Sequence, residues 1–178
     1  MSGHYFAREV GWLVGVSGRT IGQWNRRGYI RASRRASSYP NIYTFQDVAE
    51  AMVVHELIAR GTQSTAIKQT LDELRKSHGY DWALTYTDTG IIGDLLRNLR
   101  NGGWAAREHN LRHIELDSDR LSGRPAIRGT RVPALMAGRM AQTAEGCRIL
   151  ESDYGLTQKQ VSDARVYWST VQTYETAA

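Results

Sequence analysis

The chain has 178 residues, 41% hydrophobic and 23% charged, with a net charge of +5 and a pI near 9.6. That length suits one domain or two small ones, and nowhere do about 18 apolar residues run together, as a helical membrane span needs. The opening MSGHYFAREV has no basic segment followed by an apolar one, so no signal peptide is expected, and a single cysteine, Cys147, agrees with a reducing cytoplasm.

Arginine supplies 20 of the 23 basic residues. Its planar fork suits phosphate and carboxylate recognition, whereas arginine-favouring codons would produce the same bias without function. Position is more telling. From Ser17 to Tyr43 there are six arginines, Arg19, Arg26, Arg27, Arg31, Arg34 and Arg35, and no acid. Such a one-signed stretch is an electrostatic footprint for a polyanion.

The first segment reads as two short helices. Phe6, Val10 and Leu13 give an apolar stripe, Gly15 breaks the helix, and Ser17 is placed to cap the next. In that second helix Val16, Ile21 and Trp24 face inward, leaving Arg19, Thr20, Gln23 and Arg27 outside, and Gly28 stops it. Helix, glycine turn and capped helix is the helix-turn-helix pattern.

Residues Tyr29 to Tyr43 begin and end with β-formers around Arg, Ser, Pro and Asn, and are expected to form a β-hairpin wing. Thr44 and Asp47 have capping-box spacing before a helix whose apolar face holds Val48, Met52, Leu57 and Ile58, ending at Gly61. A further helix over about 64–76 turns Ile67, Leu71 and Leu74 inward. The stretch 78–111 reads as a connecting module, in which WALTYTDTG alternates like a strand and IIGDLLRNLRNGG resembles a helix closed by glycine.

From Arg112 two short strands are expected, about His113 to Leu116 and Ala126 to Arg128. Pro133 is well placed as the first residue of a helix, and three helical pieces follow at about 133–141, 143–152 and 157–173. Thr157 and Gln160 cap the last, which packs through Val161, Ala164, Val166 and Trp168. The expected fold class is mainly α: an N-terminal winged helix-turn-helix over 1–77, the connecting module, and over 112–178 a β-ribbon leading into a helix-turn-helix-like three-helix domain.

No enzyme is expected. His109 and His113 stand at i, i+4, yet no HExxH glutamate or third ligand completes a zinc site. Cys147 has only Arg148 nearby as an activating neighbour and is expected to be buried. The glycines of GDLLRNLRNGG lack the strand and spacing of a phosphate loop. No cofactor and no metal are therefore called for.

Two stretches resemble known families. Ala7, Val10 and Val14, the turn GVSGRT, the tryptophan of IGQW, RGYI and YTFQDV resemble the MerR-type winged helix-turn-helix, in the short form of excisionase-like regulators. Gly22 and Gln23 stand where that family usually has a larger or basic residue, and its long dimerising helix is missing. The resemblance implies double-stranded DNA as partner. Arg19, Thr20 and Gln23 would enter the major groove, where arginine forks onto guanine and glutamine onto adenine. Ser17, Arg26, Arg27, Arg31, Arg34, Arg35, Ser37, Tyr39 and Tyr43 complete the expected contact set, largely to phosphates or the minor groove.

The second stretch runs from about Ile114 to Trp168. Gly123, Arg124, Pro125, Ile127, Arg128, Gly129, Thr130, Arg131 and Pro133 match the ribbon of the antitoxin-associated family known as domain of unknown function four-hundred-thirty-three. Proteins joining the two modules look like VapB-type antitoxins, which restrain a protein toxin, often a PIN-like ribonuclease, and repress their own operon. Arg124, Arg128 and Arg131 are then candidates for an acidic toxin site, where fork-shaped pairing is strong. The bland reading of the ribbon is a structural hairpin whose arginines cap backbone carbonyls and carboxylates such as Asp117 and Asp119. The C-terminal trio is assigned to partner binding or homodimerisation. The alternative is a free-standing or phage-type repressor whose C-terminal half dimerises or reads a second DNA site, and an architectural DNA-bending protein ranks third.

Overall fold

A computed structural model describes residues 4–32, 41–80, 82–85, 97–117 and 119–176. Strand β1 (Tyr5–Phe6) leads into helices α1 (Ala7–Val14) and α2 (Gly18–Arg26). Strand β2 (Ile42–Tyr43) precedes α3 (Phe45–Ala59) and α4 (Ser64–His78). Then come the short α5 (Trp82–Thr85), a helical turn at 97–100, and α6 (Gly103–Glu108). Strands β3 (Ile114–Glu115) and β4 (Ala126–Ile127) flank a 3-10 turn at Leu121–Gly123, and α7 (Ala134–Met140), α8 (Ala144–Ser152) and α9 (Gln158–Thr176) follow.

The local signals act as expected at several boundaries. The Thr44 side chain accepts from the Asp47 N–H while the Asp47 carboxylate accepts from the Thr44 N–H at 2.6 Å, a reciprocal capping box. Thr157 and Gln160 do the same before α9, through Thr157 N to Gln160 Oε1 at 2.9 Å and Gln160 N to Thr157 Oγ1 at 3.3 Å. Pro133 is displaced by one position: it is the N-cap of α7 and Ala134 is the first helical residue.

Helix α3 is buried on every side from Phe45 to Val54. A helix covered all round belongs in a core, so its polar side chains need partners. The Gln46 amide donates to Tyr80 O at 2.7 Å, and Glu50 pairs with Arg75 at 2.8 Å and accepts from the Trp82 indole at 2.7 Å. One of those partners marks a departure from expectation. Trp82–Thr85, the described part of the stretch expected as a strand, forms a helical turn in which Trp82 is fully buried and its indole donates to Glu50; residues 86–96 lie outside the described residues. Ile58, expected on the apolar face, is 41% exposed near the C-terminal end of α3.

The two small sheets are separate. Ile42–Tyr43 pairs antiparallel with Tyr5–Phe6, ahead of α1, with Tyr5 opposite Tyr43. Among the described residues this is the pairing of the strand expected to close a wing, whose tip, 33–40, lies outside the described residues. In the second sheet, formed by the two strands expected from the sequence, Ile114 faces Ile127 and Glu115 faces Ala126.

The buried side chains form one cluster, drawing on α1, α2 and α3, on Trp82, Leu99, Ala105 and Leu111 of the stretch read as a connector, and on Ile114, Ile127, Ala137 and Tyr167 of the C-terminal part. Close contacts join the parts. A Cβ at Gly15 (φ +90°) would lie 2.6 Å from the Trp104 ring, so only glycine satisfies both the left-handed turn and that contact. The Tyr5 hydroxyl donates to Gly123 O, and the Tyr167 hydroxyl to Gly102 O at 3.3 Å. Burial raises both phenol pKa values.

Candidate nucleic-acid interface

The turn between α1 and α2 is made by close backbone approach. A Cβ at Gly11 would meet Val16 O at 2.5 Å, and one at Gly18 would meet the Arg8 Cα at 2.9 Å. Ser17 Oγ accepts from Thr20 N at 3.2 Å and lies 3.0 Å from Thr20 Oγ1, so both side chains serve the cap. Ile21 and Trp24 enter the core at 0% and 4% exposure and fix the rotation of α2.

That rotation places the rest of α2. Arg19, Arg26 and Arg27 are exposed, Gln23 is half-buried, and the side chains of the three arginines make no hydrogen bond or ion pair with any described residue. Arg19, Gly22, Gln23 and Arg26 share one face by helical spacing. At Gly22 a Cβ would have only Arg26 Nη1 near it, at 3.9 Å, so the helix surface there is shallow and open between two cations. The chain leaves α2 through Gly28 (φ +75°), with Tyr29 N donating to Trp24 O at 2.9 Å.

The remaining expected contacts divide. Arg31 is exposed and pairs with Asp72 at 3.5 Å. Arg34, Arg35, Ser37 and Tyr39 lie outside the described residues. Tyr43 is a correction: it is fully buried beside Tyr5 and belongs to the core, because its strand pairs inward with β1.

The sequence reading missed residues brought in from α4. A cleft of about 550 Å³ is lined by Arg27 and Tyr29 on one side and Ser64, Thr65, Lys68 and Asp72 on the other. The Tyr29 hydroxyl donates to Ser64 O at 3.3 Å and ties the two sides. Only Lys68 carried a sequence signal, its charge, and nothing in the chain order pointed it at Arg27.

A buried ion pair supports this surface from behind. Arg75 Nη2 donates to Glu50 Oε2 at 2.8 Å and to Tyr29 O at 2.7 Å, so α3 and α4 hold the backbone that leaves α2.

The ribbon arginines are not equivalent. Arg128 folds back on its own hairpin, with Nε donating to Arg112 O at 2.7 Å and Nη2 to Asn101 Oδ1 at 2.8 Å and Ile114 O at 3.2 Å. For Arg128 the structural reading therefore holds, with a correction to the carboxylate. Glu115, rather than Asp117 or Asp119, organises the turn, accepting from Arg120 Nη1 at 2.6 Å and Gly129 N at 3.0 Å and lying 3.7 Å from Arg128. Arg120 also approaches Asp117, at the longer distance of 3.9 Å. Arg124 and Arg131 are exposed, and their side chains make no hydrogen bond or ion pair with described residues. Asp163 joins α9 to β3, accepting from Arg112 N at 3.1 Å and His113 N at 3.0 Å, with His113 Nδ1 2.8 Å away. Cys147 is half-buried, and its sulfur lies 2.9 Å from Arg165, a neighbour distant in sequence.

Residues 5–74 match the family described as MerR HTH family regulatory protein. They form a MerR-family helix-turn-helix domain, the kind of module with which transcriptional regulators bind DNA. No curated protein matches the chain. Among solved structures, that of Rv2018 from Mycobacterium tuberculosis superposes with a TM-score of 0.66 and 17% identity, over 90% of this chain and 96% of that one. At that identity the likeness establishes a shared fold. Among the described residues no helix is long and apolar enough to cross a membrane.

Proposed function

We propose that the chain is a sequence-specific DNA-binding transcriptional regulator, and more narrowly an antitoxin that represses its own operon and restrains a PIN-like ribonuclease toxin. The observation that carries the DNA reading is the face of α2: Arg19, Gln23 and Arg26 around the open Gly22, within a stretch that has no acid, and without counter-ions among the described residues. Unpaired guanidinium groups on a helix held rigidly by its cap are arranged for base edges in a major groove. Arg27 and Lys68 across the neighbouring cleft suit a phosphate strand.

The narrower reading rests on the ribbon. Its match to an antitoxin-associated pattern supports a protein partner, and Arg124 and Arg131 remain available for acidic groups while Arg128 is spent on the fold. The DNA reading is tested with a duplex from upstream of the chain's own reading frame. Arg19→Ala and Gln23→Ala should each weaken binding by about 1–3 kcal/mol, and Lys68→Ala should chiefly lower the salt dependence. Unchanged affinity in all three sinks it. The antitoxin reading is tested by co-expression with the neighbouring gene: co-purification and growth rescue are expected, and the lack of both leaves a free-standing repressor.

A further inference from the structure

At the seam where β1 and α1 meet the ribbon lies a cavity of about 300 Å³, outside the DNA-facing surface. Its walls include Phe6, which is 41% exposed, Trp12 and Leu135, and its cations are Arg8 and Arg124. Neither guanidinium makes a hydrogen bond or ion pair with a described residue. The single acid on its lining, Glu9, already accepts from Phe6 N at 2.7 Å as part of the α1 cap. Trp12 is 4% exposed, and its buried indole N–H has no acceptor among the described residues. The Tyr5 hydroxyl bond to Gly123 O fixes the ribbon beside α1, so the cavity is framed by two tethered elements.

We infer that this cleft receives an acidic segment of a protein partner carrying one bulky apolar side chain, the apolar group packing among Phe6, Trp12 and Leu135 and the flanking carboxylates pairing with Arg8 and Arg124. Two arginines without counter-ions ask for anions, and the apolar walls ask for a side chain that a phosphate backbone does not have. A cavity of this volume, mostly apolar with a few placed polar groups, has the character of a recognition pocket. The inference rests on the partner-binding part of the proposed function and names its site; it does not require the partner to be a nuclease.

The test uses the full chain to select from a displayed library of random dodecapeptides. Enrichment of peptides with leucine or an aromatic residue flanked by aspartate or glutamate is expected. A synthetic representative should shift the Trp12 indole cross-peak in a ¹H–¹⁵N spectrum, assigned with Trp12→Phe. Arg8→Glu and Arg124→Glu, both at exposed positions where folding is verified by circular dichroism, should each weaken it by about tenfold or more. No enrichment, enrichment of basic or purely apolar peptides, or binding indifferent to both reversals overturns the inference. So does a Trp12 cross-peak that answers duplex DNA and not the peptide. A co-expressed toxin that still co-purifies with the Arg8→Glu, Arg124→Glu double variant also overturns it while leaving the antitoxin reading in place. Absence of any toxin complex with the native chain instead removes the antitoxin reading, and the peptide selection then decides the cleft by itself.

Discussion

Arg75→Met isolates the group that holds the backbone leaving α2. Arg75 is 11% exposed on its side chain and Glu50 3%, and the guanidinium also serves Tyr29 O at 2.7 Å and Gly28 O at 3.5 Å. Methionine keeps most of the aliphatic stem and removes the charge. The Glu50 carboxylate is left with the Trp82 indole as its donor, and two carbonyls at the exit of α2 lose theirs. Removing one member of a buried pair costs about 3–5 kcal/mol, because the other stays desolvated without compensation. Against a total of about 5–15 kcal/mol that is a large share. Glu50→Gln should cost less, about 1–3 kcal/mol, since the amide oxygen still accepts from Trp82 and Arg75 keeps its carbonyls and Asp72 at 3.4 Å. In the double variant no charge is stranded, so its loss should fall short of the sum by about 1 kcal/mol or more. Urea unfolding followed by tryptophan fluorescence measures all three. A loss under about 1 kcal/mol for Arg75→Met, or strict additivity in the double variant, refutes the reasoning.

Asp47 gives a pH prediction. Burial outweighs its capping hydrogen bonds and pushes its carboxyl from 3.8 up to about 6. The native state therefore holds the proton more tightly than the unfolded chain, so this group's contribution is full below pH 4 or so and is lost as pH rises through about 6, by up to about 3 kcal/mol. Asp47→Asn should flatten the stability profile between those values, and an unchanged slope counts against it. Arg128→Ala should destabilise the fold by about 1–2 kcal/mol in thermal unfolding, a modest value because the group is partly exposed, while leaving DNA affinity unchanged. Gly138→Ala should be severely destabilising, since a Cβ there would lie 2.3 Å from Ala164 O where α7 crosses α9; a soluble variant with native stability would show that the helices separate easily.

Features governed by neighbouring residues were legible in the sequence. Ser17, the Thr44 and Asp47 box and the Thr157 and Gln160 box are local chemistry, and each sits where its spacing put it. The helix-turn-helix and the two short strands of the ribbon follow from the same kind of signal. What stayed hidden depends on contacts across the chain. The stretch from Trp82 alternates as a strand would, yet Trp82–Thr85 is helical, with the Trp82 indole buried and bonded to Glu50, 32 residues away in sequence. Tyr43 is a surface-type residue in a basic stretch and nonetheless pairs inward. Arg128 matches the ribbon pattern as well as Arg124 does, yet the carbonyl of Arg112 and the amide of Asn101 take its fork, and nothing in the local sequence separates the two.

That separation links the two halves of the molecule. Phe6 and Arg8, at the start of α1, wall the cavity that Arg124 completes, and the Arg8 backbone packs against Gly18, the first residue of α2. At the other end of α1, Gly15 rests on the Trp104 ring, which is held edge-on by His55 with centroids 5.0 Å apart and lies under Arg107 at 5.3 Å. Helix α1 is therefore clamped at both ends by residues from outside the family-matched segment and carries α2 on its flank. Close packing of this kind transmits strain from one element to its neighbours. A segment seated between Arg8 and Arg124 would bear on the same short helix that carries α2, so if both proposed sites are used, a change in DNA affinity on filling the cleft would require DNA to change the affinity of the cleft by the same factor.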